Sequence, residues 1–518
     1  MALSSPKNRE MLIFLPVAFA VAVLTATAYT FILVSDNKML LILSYGSVVA
    51  IFGAVLLGNL RLTALIGLML VAPLSIGKDF APMPHMGGAS SFAIEAADVF
   101  LGILVLFQLR DLKDRCRPLV VPAGSMGLVA MIFVGIVHMA FGPSLLLAAQ
   151  QVFQMVKDLL LFFVVTNELV RTQHFRVVFW ALMGTLAVQS GIGILQYVKG
   201  SDLGLQVLGE LDAATAELAN LATYNEAGAV FRISALLGHP NLLGAFVALL
   251  LPMSIASFSY RMPPILRSLV IFIACLGCFA LLLTLSRSAW LSGAFGIFLL
   301  MCMSVAHPRW RARGLPIAMI VGLGGIILMV PALPIILQRF FESDAGAVDF
   351  RIEWMIVAWD MIKTDWLAGI GLNTFVFQLP NNTPYGGADS LTERFGQSWP
   401  VVHNIYLLIW SEMGTFGFVA FMYTMIVLFF IAYDNLRYVL DPYVYALSLG
   451  AAGGLGAVML DGLASFFMRN PQCGRMFWIV AAVLVACHVW NKRNARLRAD
   501  MHQQVALQTR ISDATTVS

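Results

Sequence analysis

Charged side chains are scarce in this sequence. Asp, Glu, Lys and Arg make up 12% of its 518 residues, where a soluble domain carries about a quarter. Hydrophobic residues reach 60%, so water is not the chain's main solvent and a soluble globular domain is excluded. The net charge of +4 is too small for a nucleic-acid surface and reflects the basic loops of a membrane protein. The six cysteines are scattered, with Cys275, Cys278, Cys302 and Cys487 inside apolar runs. They lack metal-site spacing and read as small buried hydrophobes. No paired acidic motif resembles a divalent-cation site, no glycine-rich loop suits a phosphate, and no Cys/His cluster or internal repeat stands out. A cleavable signal peptide is also missing: the first apolar run, from Met11 to about Val34, is too long and has no clear small-residue cleavage site. It reads as a retained first span.

Long apolar runs are what the chain has instead. Lipid cannot satisfy backbone polar groups, so only helices or closed barrels cross a bilayer, and runs of about 18–30 residues suit helices. The expected fold is all-α: a polytopic integral membrane helical bundle of about 14 transmembrane helices with a large extracytoplasmic loop. Spans are expected at 11–34, 39–58, 62–77, 92–109, 119–140, 148–168, 176–198, 240–260, 264–285, 288–305, 315–337, 401–431, 442–466 and 474–490. They group into N-terminal spans (1–198), a first outer loop (199–239), central spans (240–337), a large outer loop (338–400), C-terminal spans (401–490) and a tail (491–518). The polar end of that tail, Met501–Ser518, reads as solvated and disordered.

Lys and Arg orient the bundle. With the N-terminus inside, the inner loops hold Arg61, the Arg110–Arg117 cluster, Arg171, Arg176, Arg261, Arg267, Arg437 and Lys492–Arg498, as the positive-inside rule requires. Both termini are then cytoplasmic. Arg232, Arg287, Arg339, Arg351, Arg394, Arg469 and Arg475 are left on the outer side, against the bias, and are candidates for a specific task. The first outer loop carries Leu203, Leu205, Val207, Leu208, Leu211, Ala214, Leu218 and Leu221, a pattern that predicts an interfacial helix. The second opens with a helical stretch, Arg351–Lys363, and turns Gly-, Asn- and Pro-rich from Gly369 to Tyr385.

Three inward-running helices start at the outer surface, at Gly238-His239-Pro240-Asn241, at Ser286-Arg287-Ser288 and at Val402-His403-Asn404. Pro240 suits a first helical turn, with Asn241 helping to cap it. Helix N-termini bring partial positive charge and unpaired N–H groups. With Arg232, Arg287 and Arg351 they predict a site for an anion with several oxygens, a phosphate or diphosphate. An interfacial arginine also snorkels to headgroups, so each one alone is ambiguous; the set is not. His403 is basic enough to take a hydroxyl proton. Glu412 lies nine residues on, roughly 13 Å deeper, as a supporting carboxylate or a paired buried acid. Lys157, Asp158 and Asp461 are intramembrane ionisable residues that call for partners.

These residues resemble the bacterial O-antigen ligase and O-antigen polymerase superfamily. The resemblance is carried by Arg232 with Gly238-His239-Pro240-Asn241, by Thr284-Leu285-Ser286-Arg287-Ser288, by Arg351-Ile352-Glu353-Trp354 with Leu367-Ala368-Gly369-Ile370-Gly371, and by His403-Asn404-Ile405-Tyr406-Leu407 with Glu412-Met413-Gly414. It implies a metal-independent, inverting glycosyltransferase of the inner membrane, without a cofactor. The donor would be an undecaprenyl-diphosphate-linked oligosaccharide taken at the periplasmic face. The acceptor would be a glycan or the lipid A core, in lipopolysaccharide or exopolysaccharide biosynthesis. Other polysaccharide-assembly proteins and membrane lipid are the implied partners, with no nucleic acid. Arg287 and Arg351 would bind the diphosphate, His403 would be the general base, and Arg232, His239, Asn241, Asn404 and Glu412 would shape the site. A lipid-linked oligosaccharide flippase is the rival from another class. It would show repeat symmetry and midplane charges, whereas here polar residues crowd the outer side.

Overall fold

The computed structural model describes residues 59–83, 87–114, 119–211, 222–225, 228–306, 345–382, 401–437 and 441–516. The spans expected at 11–34, 39–58 and 315–337, and Arg339 and Arg394, lie outside the described residues.

A short helix α1 (Leu60–Val71) leads into a hairpin of β1 (Gly77–Phe80) and β2 (Phe92–Glu95), paired antiparallel with Gly77 opposite Glu95. Then come α2 (Ala96–Lys113), α3 (Ser125–Phe141), α4 (Leu145–Thr172) and α5 (Phe175–Lys199). A second hairpin, β3 (Ala222–Asn225) with β4 (Gly228–Phe231), precedes α6 (Pro240–Ala256), α7 (Pro264–Leu283) and α8 (Arg287–Ala306). After α9 (Ala345–Thr364) and α10 (Phe375–Asn382) the chain closes with α11 (Ile405–Asn435), α12 (Pro442–Asp461) and α13 (Pro471–Thr516).

Eight of these helices are long and apolar enough to cross a membrane: α4, α5, α6, α7, α8, α11, α12 and the part of α13 up to Leu497. Two shorter apolar helices, α1 and α3, join them. The fold is a multi-pass helical bundle. Three expectations need correction. The spans predicted at 62–77 and 92–109 are helical only in part: α1 ends at Val71 and α2 begins at Ala96, with the β1–β2 hairpin between them. The interfacial helix predicted in the first outer loop is replaced, within the described residues, by one 3-10 turn at Gln206–Leu208 and the β3–β4 hairpin. The rest of that pattern, 212–221, lies outside them. The tail continues α13 as helix to Thr516.

The middle of the bundle is formed by α6, α12 and the spanning part of α13. A helix that is apolar all round suits either the protein core or lipid, so packing decides: the span of α6 is 89% buried, those of α12 and α13 each 83%, against 33% for α7 and 39% for α8 and α11. Close approach needs small residues, since lipid offers no hydrophobic drive between helices. At Gly454 of α12 a Cβ would stand 1.9 Å from the Leu249 carbonyl oxygen of α6, so only glycine fits. Buried charges are paired, as a low dielectric demands. Lys157 meets Asp98 at 2.7 Å and Glu95 at 3.7 Å, and Arg475 bonds Glu95 and the carbonyls of Ala72 and Leu74. Asp158 accepts from Gln154 at 3.1 Å.

Candidate functional site

The starts of α6, α8 and α11 meet at one end of the bundle. Arg232, buried at 7% exposure, follows β4 and donates from Nε to the Thr284 carbonyl at 3.0 Å and from Nη2 to Asn241 Oδ1 at 3.1 Å. Thr284 is the C-cap of α7, so its carbonyl is one of those a helix end leaves without an intrahelical donor. Arg232 thereby joins the start of α6 to the α7–α8 turn. That turn is tight: Leu285 adopts φ +50°, Trp290 Nε1 donates back to the Leu281 carbonyl at 2.9 Å, and Arg287 opens α8. His239, not Asn241, is the N-cap of α6; its Nδ1 accepts from the Asn241 N–H at 3.1 Å, while the Asn241 carboxamide serves Arg232.

His403 precedes α11. Its Nδ1 lies 3.0 Å from the Val401 carbonyl. A carbonyl only accepts, so Nδ1 carries the hydrogen and Nε2 is the bare, basic nitrogen. Phe466 packs edge-on against the ring at 5.3 Å. Asn404 caps α11 by accepting from the N–H groups of Tyr406 and Leu407 at 3.0 and 3.1 Å, and its Nδ2 donates to Leu463 at 3.2 Å. The Asn404 side chain thus holds the start of α11 and ties it to Leu463.

Beside His403 ends α12, with Asp461 buried at 1% exposure. The hydroxyls of Ser288 and Ser465 and the charge of Arg351 are its polar surroundings. Neither carboxylate oxygen completes a hydrogen bond among the described residues. The charges bear on one another. Burial, then Arg232, His403 and Arg351, push the His239 imidazole down to about 3. Burial, then Arg351, push His403 down to about 4, against the upward pull of its Val401 bond. Arg351 is itself lowered by burial and by Arg287, with Asp461 opposing. Arg232, His239, Arg287, Arg351, His403 and Asp461 therefore share one electrostatic neighbourhood. Its imidazoles are neutral at pH 7, and its described guanidiniums outnumber its carboxylates.

Glu412 is not in that neighbourhood. Nine residues at about 100° each turn a helix through two and a half turns, which puts it on the opposite face from His403. It is 1% exposed, pairs with Arg469 Nη2 at 2.5 Å and accepts from the Phe375 N–H at the start of α10 at 3.1 Å. Among the described residues its carboxylate thus serves Arg469 and the start of α10. Arg469 also donates to the Gly87 carbonyl at 3.0 Å, so Arg469 and Arg475, singled out on the outer side, are buried anchors. Asp461 was recognisable from sequence only as an acid in an apolar stretch; its neighbours were not.

The helix bearing Arg351 is locked to α11, which His403 precedes. α11 breaks at Gly414, with φ 63° and ψ −170°, a conformation open essentially to glycine. The loop after α9 fills the break: Ile370 and Gly371 donate to the carbonyls of Ser411 and Glu412 at 2.9 and 3.1 Å, and the Thr415 N–H donates to Trp366 at 2.9 Å. A Cβ on Gly414 would stand 2.2 Å from the Leu367 carbonyl oxygen. Gly414→Ala is expected to cost at least ~1–3 kcal/mol in strain and to shift α9, so activity falls more than folding does. Thermal unfolding beside turnover checks this; equal losses in both would contradict it.

Residues 269–422 match the family model described as O-antigen ligase. That stretch holds Arg287, Arg351 and His403 and leaves out Arg232, His239 and Asp461. A comparison with curated proteins gives no match. The family match and the apolar helices support a multi-pass membrane protein of glycosyltransferase type with a ligase-like role.

Proposed function

We propose that this protein transfers a glycan from an undecaprenyl-diphosphate-linked donor to an acceptor hydroxyl, on a second glycan or on the lipid A core, at the periplasmic face of the inner membrane. The observation that carries this reading is the gathering of Arg287, Arg351, Asp461 and a neutral His403 at the shared end of three helices. A diphosphate diester is a fitting ligand there, because guanidiniums fork onto its oxygens and helix N-termini favour its charge.

In the transfer, Nε2 of His403 takes the acceptor's proton. The acceptor oxygen attacks the anomeric carbon from the side opposite the diphosphate. The bond from that carbon to the diphosphate oxygen breaks, and its electron pair leaves on the lipid diphosphate. Arg287 and Arg351 stabilise that growing charge, the largest single contribution available to such a site. One displacement inverts the configuration. Asp461, through its charge on Arg351, competes with the bound anion for that guanidinium. The bound diphosphate offsets the push of Arg351 on His403, so the donor itself raises the basicity of the imidazole.

The pH dependence follows with a definite sign. The base must be neutral, so activity is lost as pH falls through its pKa. An ordinary histidine near 6.5 is about 3% neutral at pH 5, whereas one at about 4 is ~90% neutral there. The free-enzyme parameter kcat/KM is expected to persist at pH 5, with the acid limb of kcat at higher pH because the bound anion raises the pKa. Identical limbs near 6.5 in both would contradict the assignment.

Reconstitution of purified protein with a defined polyprenyl-diphosphate oligosaccharide, with and without chelator, tests the reading itself. Chain lengthening identifies a polymerase, transfer to lipid A core a ligase. Abolition by chelator would defeat the metal-free mechanism. Movement of intact donor between leaflets without transfer would make the protein a flippase.

A further inference from the structure

A cavity lined by both charged and apolar side chains lies at the far end of the bundle. It has a volume of about 270 Å³ and is lined by residues of α1, α2, α4, α13 and the segment before α3. From Pro471 to Arg493 α13 runs about 33 Å at ~1.5 Å per residue, close to the ~30 Å of a bilayer core. The cavity therefore belongs to the membrane face opposite the His403 site.

Its charges are sorted. Arg61 forks onto Glu168 with two 2.6 Å bonds and reaches Asp111 at 2.8 Å. Arg171 pairs with the same Asp111. Both carboxylates are thus saturated by guanidiniums, and a cationic ligand would find no acceptor. Arg493 stands exposed at the mouth with no ion pair among the described residues. The walls are otherwise apolar, with Val120, Val170 and Val489 facing the space. A base of half-buried arginines paired with carboxylates, one guanidinium without an ion pair among the described residues and an apolar wall together select an amphiphile with an anionic head. The volume lies just below the ~300–1,000 Å³ of pockets that enclose a drug-sized ligand, so a headgroup enters and the chains stay outside. Basic pockets between transmembrane helices hold lipid headgroups in this way.

We propose that the cavity between Arg61, Arg171 and Arg493 binds the phosphodiester headgroup of an anionic glycerophospholipid in the leaflet opposite the candidate site. The phosphate oxygens accept from Arg493 and Arg171, and the glycerol lies against Val170 and Val489. The shared chemistry is a phosphate anion, which a lipid or free phosphate could supply.

Native mass spectrometry of the full chain in detergent, with phosphatidylglycerol or phosphatidylethanolamine added, tests this. Wild type is expected to retain phosphatidylglycerol in preference to phosphatidylethanolamine, and Arg493→Gln to lower that retention about fivefold with phosphatidylethanolamine unchanged. Arg171→Gln, thermally profiled as a folding control, is expected to do the same. Equal retention of the two lipids by wild type, or undiminished phosphatidylglycerol in Arg493→Gln, overturns the proposal. Displacement of the lipid by millimolar inorganic phosphate overturns the lipid as its source. Arg493 lies apart from the His403 site, so glycan transfer by Arg493→Gln in detergent is expected to match wild type, and loss of lipid binding leaves the transferase reading untouched.

Discussion

His403→Ala is expected to lower turnover by about 10²–10⁴-fold, the usual worth of a positioned general base. The fall should lie in kcat, with KM for the lipid-linked donor little changed, because the imidazole acts on the acceptor's proton in the transition state. Folding should survive. Among the described residues the ring makes one hydrogen bond, to Val401, and one edge contact, to Phe466, whereas the cap that starts α11 belongs to Asn404. Arg351→Ala should show the complementary pattern, a drop of about 10²–10³-fold from the loss of a charge aimed at the leaving group. Arg351→Lys should recover only part of it, because an ammonium offers a point charge where a guanidinium offers a fork. Turnover of reconstituted protein and the sidedness of accumulated donor are the measurements. A His403→Ala protein with half the wild-type rate would remove the base from the mechanism.

Arg469→Ala should destabilise the fold by about 3–5 kcal/mol, the cost of leaving one partner of a buried ion pair alone. Glu412 is 1% exposed and would keep only the Phe375 N–H, while the Gly87 carbonyl would lose its donor. Two effects compete in such a pair: the Coulomb attraction and the cost of taking both charges out of water. The second is large enough that an apolar replacement of both partners is often neutral. The double variant Arg469→Met with Glu412→Leu should therefore be more stable than Arg469→Ala, though it carries the same deletion and one more. Thermal unfolding in one detergent ranks the three proteins. A double variant as unstable as the single one would mean that the pair's attraction, and not the stranded carboxylate, sets the loss.

Within one motif, the roles of single residues are harder to read from sequence than the motif itself. Asn404 and Glu412 sit in the motif that carries His403, yet one caps a helix and the other anchors α10 and Arg469. Sequence proximity to a reactive group marks both the group and its scaffold, and periodicity alone separated them only for Glu412, half a turn out of phase. The two hairpins went unseen because their strands are four residues each, too short for alternation to stand out from the apolar background.

Hydropathy and the placement of Arg and Lys, both local properties, were enough to predict a membrane bundle and to mark Arg287 and Arg351, among other arginines, as running against the expected bias. They could not say which charges meet. Arg475 with Glu95, Arg469 with Glu412 and Asp461 near Arg351 join residues far apart in the chain. Such pairings depend on which helix ends reach the same depth and on close approaches such as Gly454 against Leu249. Burial then turns a pair of ordinary charges into either an anchor or a poised site, and burial exists only once the helices have packed.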